Sequence, residues 1–112
     1  MVIEFSRRGD GLIVAVKGRM DAITAPEFET RCSKQIQKGL PLVVADFSEL
    51  EYISSAGLRG ILQIAKKLKQ HKGQLAFCGL SPMVLNVFSI SGFNSMFSMY
   101  DSLDQAFADL EK

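Results

Sequence analysis

Three features of the sequence predict an α/β domain with a mixed, mostly parallel sheet of about five strands and about four helices. Short strand-like runs alternate with amphipathic helical runs along nearly the whole chain, the pattern of strands joined by crossover helices. The first two strand-like runs flank Gly9-Asp10-Gly11, residues that tolerate the dihedrals of a tight hairpin turn. The run Leu42 to Phe47 (LVVADF) is apolar with little alternation, as in a strand buried on both faces at the centre of a sheet.

Each element has its own local reasons. Val2, Ile3 and Phe5 begin a first strand, and Leu12 to Lys17 (LIVAVK) forms a second that ends at Gly18. Thr24-Ala25-Pro26-Glu27 reads as a helix start: Thr24 as cap, Pro26 in the first turn, Glu27 three residues after the cap. Ala25, Phe28, Cys32 and Ile36 give that helix an apolar face, with Glu29, Lys34 and Lys38 turned away and Gly39 and Pro41 as stops. After the central strand, Ser48 to Tyr52 reads as a loop. A second helix then starts at Ser54 or Ser55 and runs to about His71, its inner face formed by Leu58, Ile61, Leu62, Ala65 and Leu68. Lys72-Gly73 ends it, and Gln74 to Cys78 forms the next strand. Ser81-Pro82 opens a third helix, with Ser81 as cap and proline at the first helical position. Met96 to Met99 reads as a short strand, and Asp101 through Asp104 cap a last helix carrying Leu103, Ala106, Phe107 and Leu110.

The chain of 112 residues fits one domain, 1–112, with no internal repeat, linker or low-complexity tract. It holds 13 basic and 12 acidic residues, a balance with no general attraction for nucleic acid or an anionic membrane. No apolar run approaches the roughly 18–20 residues of a membrane span. The start lacks the charged-then-apolar layout of a signal peptide, so a cytoplasmic protein without membrane insertion is expected. Two cysteines, Cys32 and Cys78, do not make a disulfide framework and read as reduced thiols. The single histidine, His71, argues against a metal site or a serine–histidine triad.

Motifs of catalysis are missing. There is no phosphate-binding loop, no dinucleotide glycine pattern, and no nucleophile elbow around Ile53-Ser54-Ser55-Ala56-Gly57. Asp21, Asp46, Glu49 and Glu51 read as loop solvation or capping rather than paired carboxylates. The sequence points to no enzyme and to no cofactor. The informative segment is Asp46 to Leu62, DFSELEYISSAGLRGIL. A buried strand leads to a helix entered through two serines, where unpaired amides and the positive end of the helix dipole lie. One serine suffices as a cap; the second is in excess. Gly57 keeps the surface low in the first turn. Gly60 reads as lying on the outer face, where alanine is better by roughly 1 kcal/mol, as if another surface approached closely.

This segment resembles the signature of STAS domains, the family of anti-sigma-factor antagonists and of sulfate-transporter cytoplasmic domains. The pattern is an aspartate ending an apolar strand, a serine or threonine two residues on, then a hydrophobic residue. Aspartate or serine, serine or threonine, a small residue, glycine, and leucine or isoleucine come next, before the helix. Asp46, Ser48, Ile53, Ser54, Ser55, Ala56, Gly57 and Leu58 match in order. Gly18-Arg19-Met20-Asp21 upstream, and Gly92-Phe93 with Phe97 through Leu103 downstream, extend the likeness over nearly the whole chain.

The resemblance implies an anti-sigma-factor antagonist whose phosphorylated residue falls on Ser55. Ser54 takes the preceding place, often an aspartate in close relatives, and is the second candidate. It also implies three roles for partners: an anti-sigma factor, serine kinase activity in that factor, and a phosphoserine phosphatase. The expected contact surface comprises Asp21, Thr24, Ser54, Ser55, Gly57, Arg59, Gly60 and Gln63. Three rival readings stand beside it. One is a STAS accessory subunit of a transporter or signalling assembly without phosphoswitching. Another is a nucleotide or small-ligand module using the Ser48 loop and the Ser55 helix end. The third is an enzyme, for which no base lies near either serine in the sequence.

Overall fold

The computed structural model describes residues 1–39 and 42–110. In order along the chain are β1 (Val2–Arg8), β2 (Gly11–Met20), α1 (Ala25–Ile36), β3 (Leu42–Ile53) and α2 (Ser55–Gln70). They are followed by β4 (Gln74–Cys78), α3 (Pro82–Ile90), α4 (Phe93–Met96), β5 (Ser98–Tyr100) and α5 (Leu103–Leu110). The strands lie side by side as β1-β2-β3-β4-β5, antiparallel for the first pair and parallel for the rest. The hairpin at Gly9–Gly11 therefore forms one sheet edge, and the apolar strand β3 takes the centre.

Each crossover steps one strand along in the same direction, and right-handed connections then put their helices on one face. Strand periodicity sorts the core accordingly. Val43, Ala45 and Phe47 join Leu12, Val14, Phe77 and the buried faces of α1, α2 and α3 in the larger core. Val44 points the other way and meets Cys78, Ala106 and Phe107 under α5. Within the larger core Phe77 touches Phe47, Phe88 and Phe97 at centroid distances of 5.3, 5.1 and 5.3 Å. Burying each such ring contributes about 1.5–3 kcal/mol.

The predicted elements are present, with four departures. Ser48 to Tyr52 is strand rather than loop, because β2 does not stop at Gly18. It bulges there, with register shifts between Ala15 and Lys17 and between Gly18 and Arg19, and Gly18 takes φ +94°. Pairing then resumes as Gly18↔Leu50, Arg19↔Tyr52 and Met20↔Ile53. A long-range ladder thus overrides local turn chemistry. A fifth helix, the single turn α4, precedes β5, which starts at Ser98 rather than Met96. Thr24 does not cap α1: its backbone is already helical (φ −94°, ψ −24°), and its hydroxyl turns back toward Asp21 and Arg19. The inner face of α2 is rotated toward Gly57, Gly60, Ile61, Ile64 and Leu68, leaving Leu58, Leu62 and Ala65 half-buried on its flanks. The predicted stop at Pro41 lies outside the described residues.

Candidate functional site

β3 and β2 end together, and this is where the two serines stand. Ser54 comes directly after the last residue of β3 in extended backbone (φ −96°, ψ 175°). Its amide donates to the Met20 carbonyl at 2.9 Å, and its Oγ accepts from the Gly57 amide at 3.3 Å. Ser54 is therefore the N-cap, tied on both sides and half-buried. Ser55 is the first helical residue, exposed, and its hydroxyl has no hydrogen-bond partner among the described residues. The two candidates have separate jobs: one serine holds the helix, the other is free.

The electrostatic setting favours an anion at Ser55. The first-turn amides of an α-helix lack intrahelical acceptors and carry the positive end of the dipole. No acidic residue lies in the first turn of α2 to offset that charge. Arg59, one turn on, is exposed and makes no ion pair among the described residues. Gln63 is exposed a further turn along, so Ser55, Arg59 and Gln63 line one outer stripe at i, i+4 spacing.

The Ser54–Met20 bond ties the start of α2 to the residue just before the turn Asp21–Thr24. Asp21 Oδ1 accepts from the amides of Ile23 at 3.0 Å and Thr24 at 3.1 Å. The Asp21 amide donates to Thr24 Oγ1 at 2.9 Å, and that hydroxyl donates to the Arg19 carbonyl at 2.9 Å. The Thr24 amide, foremost among these contacts, holds the Asp21 carboxyl below its ordinary range. Asp21 and Thr24 thus build the turn with the very groups expected to face a partner. Ile23, which sequence reasoning did not single out, is left 88 % exposed by the turn. An apolar residue inside a polar turn was the available signal, but exposure is set by the turn's hydrogen bonds, which residue types alone do not reveal.

Gly57 and Gly60 are corrected. Both are buried rather than surface-forming. A Cβ on Gly57 falls 2.7 Å from Ile53 Cγ1 and 3.0 Å from the Met20 carbonyl oxygen, so this glycine seats the first turn of α2 on the ends of β2 and β3. Gly60 faces α1, where its added Cβ meets Glu29 Cγ at 3.3 Å. The glycine that read as an outer-face feature is a helix–helix contact.

Other candidates fall elsewhere. Ser48 does not join Ser55. It lies with Ser81 in an open hollow of about 630 Å³ that also includes Lys17, Glu49 and Glu51. Lys17 there is held by Glu4 at 3.2 Å and Glu49 at 3.3 Å, which leaves no free cation for a phosphate among the described residues that line it. His71 sits past the C-terminal end of α2, a helix about 24 Å long at 1.5 Å per residue, far from Ser55. Burial pushes the Cys32 and Cys78 thiols up to about 12, so both stay protonated at neutral pH. Among the described residues no helix is long and apolar enough to cross a membrane, and no group of three or more metal-ligating side chains assembles.

Comparison with known proteins places these features in a family. The STAS domain family model matches residues 3–106. BtrV of Bordetella bronchiseptica, a protein bearing the name of an anti-sigma factor antagonist, is 43% identical over 100 residues, covering 88% of this chain and 86% of BtrV. A Thermotoga maritima protein described as an anti-sigma factor antagonist superposes with TM-score 0.93 at 20% identity, over 98% of this chain and 95% of that one. The Bacillus cell-fate determinant SpoIIAA, solved in its phosphorylated form, superposes with TM-score 0.77 at 18% identity, over 97% and 99% of the two chains. The last two likenesses concern the fold; the family match and the BtrV identity go further, and the chain belongs to the STAS domain family.

Proposed function

We propose that this chain is an anti-sigma-factor antagonist, a cytoplasmic, non-enzymatic binding module switched by phosphorylation of Ser55. Unphosphorylated, it binds an anti-sigma factor that is also a serine kinase. Phosphorylated, it releases that factor, and a phosphoserine phosphatase restores the free serine. The observation that carries this reading is the division of labour between the serines: Ser54 is committed as cap, and Ser55 offers a free hydroxyl at an uncompensated helix start.

The magnitudes suffice for a switch. Phosphate adds roughly −1.5 to −2 charge at neutral pH. On the free protein that charge is well placed, between first-turn amides and the unpaired Arg59, so the fold changes little. In a complex the same group enters a desolvated contact, and an uncompensated buried charge costs roughly 3–5 kcal/mol. At 1.4 kcal/mol per decade, binding weakens by roughly two to three and a half orders of magnitude without any conformational change.

The test is intact-mass and site-mapping mass spectrometry after incubation with ATP and the candidate kinase, beside a Ser55→Ala control, and then affinity measurement on Ser55→Asp. One added phosphate on Ser55, absent in the control, and a large affinity loss in Ser55→Asp are expected. No phosphate from a demonstrably active kinase that nonetheless forms a stable complex removes the switch. It would favour a constitutive accessory subunit instead.

A further inference from the structure

We propose that Ile23 is the apolar anchor of the partner interface, and that the anti-sigma factor carries an apolar socket beside the place where it receives Ser55. This rests on the reading of Ser55 above and assigns what that reading leaves open: which side chain supplies contact energy rather than control. An isolated exposed apolar residue is ordinary and needs no explanation. Ile23 differs in how it is held. It is 88 % exposed, the highest value among the exposed large hydrophobic residues, so it contributes little to the core. Yet its own amide is bonded to Asp21 Oδ1 at 3.0 Å, and its neighbour Thr24 is bonded through both amide and hydroxyl.

The turn is also clamped at both ends. Met20 before it is fully buried, and Ala25 after it is 2 % exposed, with its amide donating to the Asp21 carbonyl at 2.8 Å. An apolar side chain on a rigid turn loses little conformational freedom when it is covered, the condition under which a contact becomes a binding hot spot. Asp21 and Thr24 are positioning residues in this arrangement, since their polar groups are consumed in shaping the turn.

The location ties the anchor to the switch. Gly57 lets the first turn of α2 pack against the Met20 carbonyl, which a Cβ at that position would meet at 3.0 Å, and the Ser54 amide bonds that same oxygen at 2.9 Å. Three residues of chain reach at most about 11 Å, and less where they turn, so Ile23 and Ser55 fall inside one footprint of roughly 800 Å² per partner. An anchor and a phosphorylatable hydroxyl in one footprint make an efficient switch. The anchor gives the affinity, and the phosphate beside it prevents the close approach that the anchor requires.

The test is the affinity of the unphosphorylated protein for the serine-kinase anti-sigma factor, by titration calorimetry, for the unsubstituted chain, Ile23→Ala, Asp21→Ala, the double variant and Ser55→Asp. Ile23→Ala is expected to weaken binding about thirtyfold or more, the loss typical of a hot spot, with its urea midpoint unchanged. Asp21→Ala is expected to add little in the Ile23→Ala background, because its effect runs through Ile23. Ile23→Ala within about twofold of the unsubstituted chain, while Ser55→Asp abolishes binding, overturns the anchor and leaves the switch standing. Absence of binding by the unsubstituted chain overturns both.

Discussion

The N-termini of α2 and α3 start from nearly the same local design and end with different capacities. Each helix comes after a parallel strand, each is capped by a serine in extended backbone, and each cap accepts from the amide three residues on at 3.3 Å. The first helical residue differs. In α2 it is Ser55, exposed and unbonded; in α3 it is Pro82, which has no amide hydrogen and no hydroxyl. The third also differs: Gly57 against the buried Val84. So α2 couples its cap to an exposed hydroxyl and a close backbone contact, whereas α3 couples an identical cap to core packing. A serine cap is common scaffolding; the first three helical residues after it set what the helix end presents.

The largest effects should come from the third helical position, with opposite chemistry in the two helices. Gly57→Ala inserts a methyl group against Ile53 and the Met20 carbonyl, and the backbone atom cannot swing aside. A loss of about 1–3 kcal/mol is expected from overpacking, partly offset by alanine's better helix propensity. Urea unfolding measures it, and partner affinity should fall with it because the Met20 carbonyl belongs to the peptide that leads into the Asp21–Thr24 turn. Val84→Ala should lose about as much by leaving a void under α3, with partner affinity unchanged. Equal affinity losses in the two variants would mean that Gly57 acts only through global stability.

The caps give a smaller, matched pair. Ser54→Ala and Ser81→Ala should each cost about 1 kcal/mol, since the two bonds have the same length and the same partner position. Mass spectrometry adds the sharper readout: Ser54→Ala should still accept phosphate on Ser55, and Ser81→Ala should be indifferent. Loss of modification in Ser54→Ala, with the helix intact by circular dichroism, would transfer the modified hydroxyl to Ser54.

Much of this was legible in the sequence. The strand and helix alternation, the central position of LVVADF, the Ser81-Pro82 start and the serine pair before α2 all come from local residue chemistry. Two of the misses come from contact between segments distant in sequence, and one from a competing turn close by in the chain. Ser48 to Tyr52 look like a loop until β2 bulges at Gly18 and supplies partners for them. Thr24 looks like a cap until Asp21 and Arg19 claim its hydroxyl. Gly60 looks like an outer-face residue until α1 is laid across it. Even so, α2 starts where the serine pair indicated, because a helix start is defined by its own few residues.

Gly60 supplies the smallest and most discriminating effect. It lies six residues past the α2 cap, where α3 has the half-buried Val87, so a side chain at this depth is compatible with the fold in general. Its obstacle is Glu29 Cγ at 3.3 Å, part of a flexible and half-exposed side chain, not a carbonyl as at Gly57. Alanine gains up to about 1 kcal/mol in helix propensity, and Glu29 has room to yield a few tenths of an ångström toward solvent. Gly60→Ala is therefore expected to be neutral or slightly stabilising in urea, and partner affinity should not change, because α1 already covers the position. Gly60→Leu should destabilise, since α1 would have to separate from α2. If Gly60→Ala instead left stability alone and weakened the complex, the partner would have to displace Glu29 and reach between the helices, and the interface would extend past the Ser55–Arg59–Gln63 stripe onto α1.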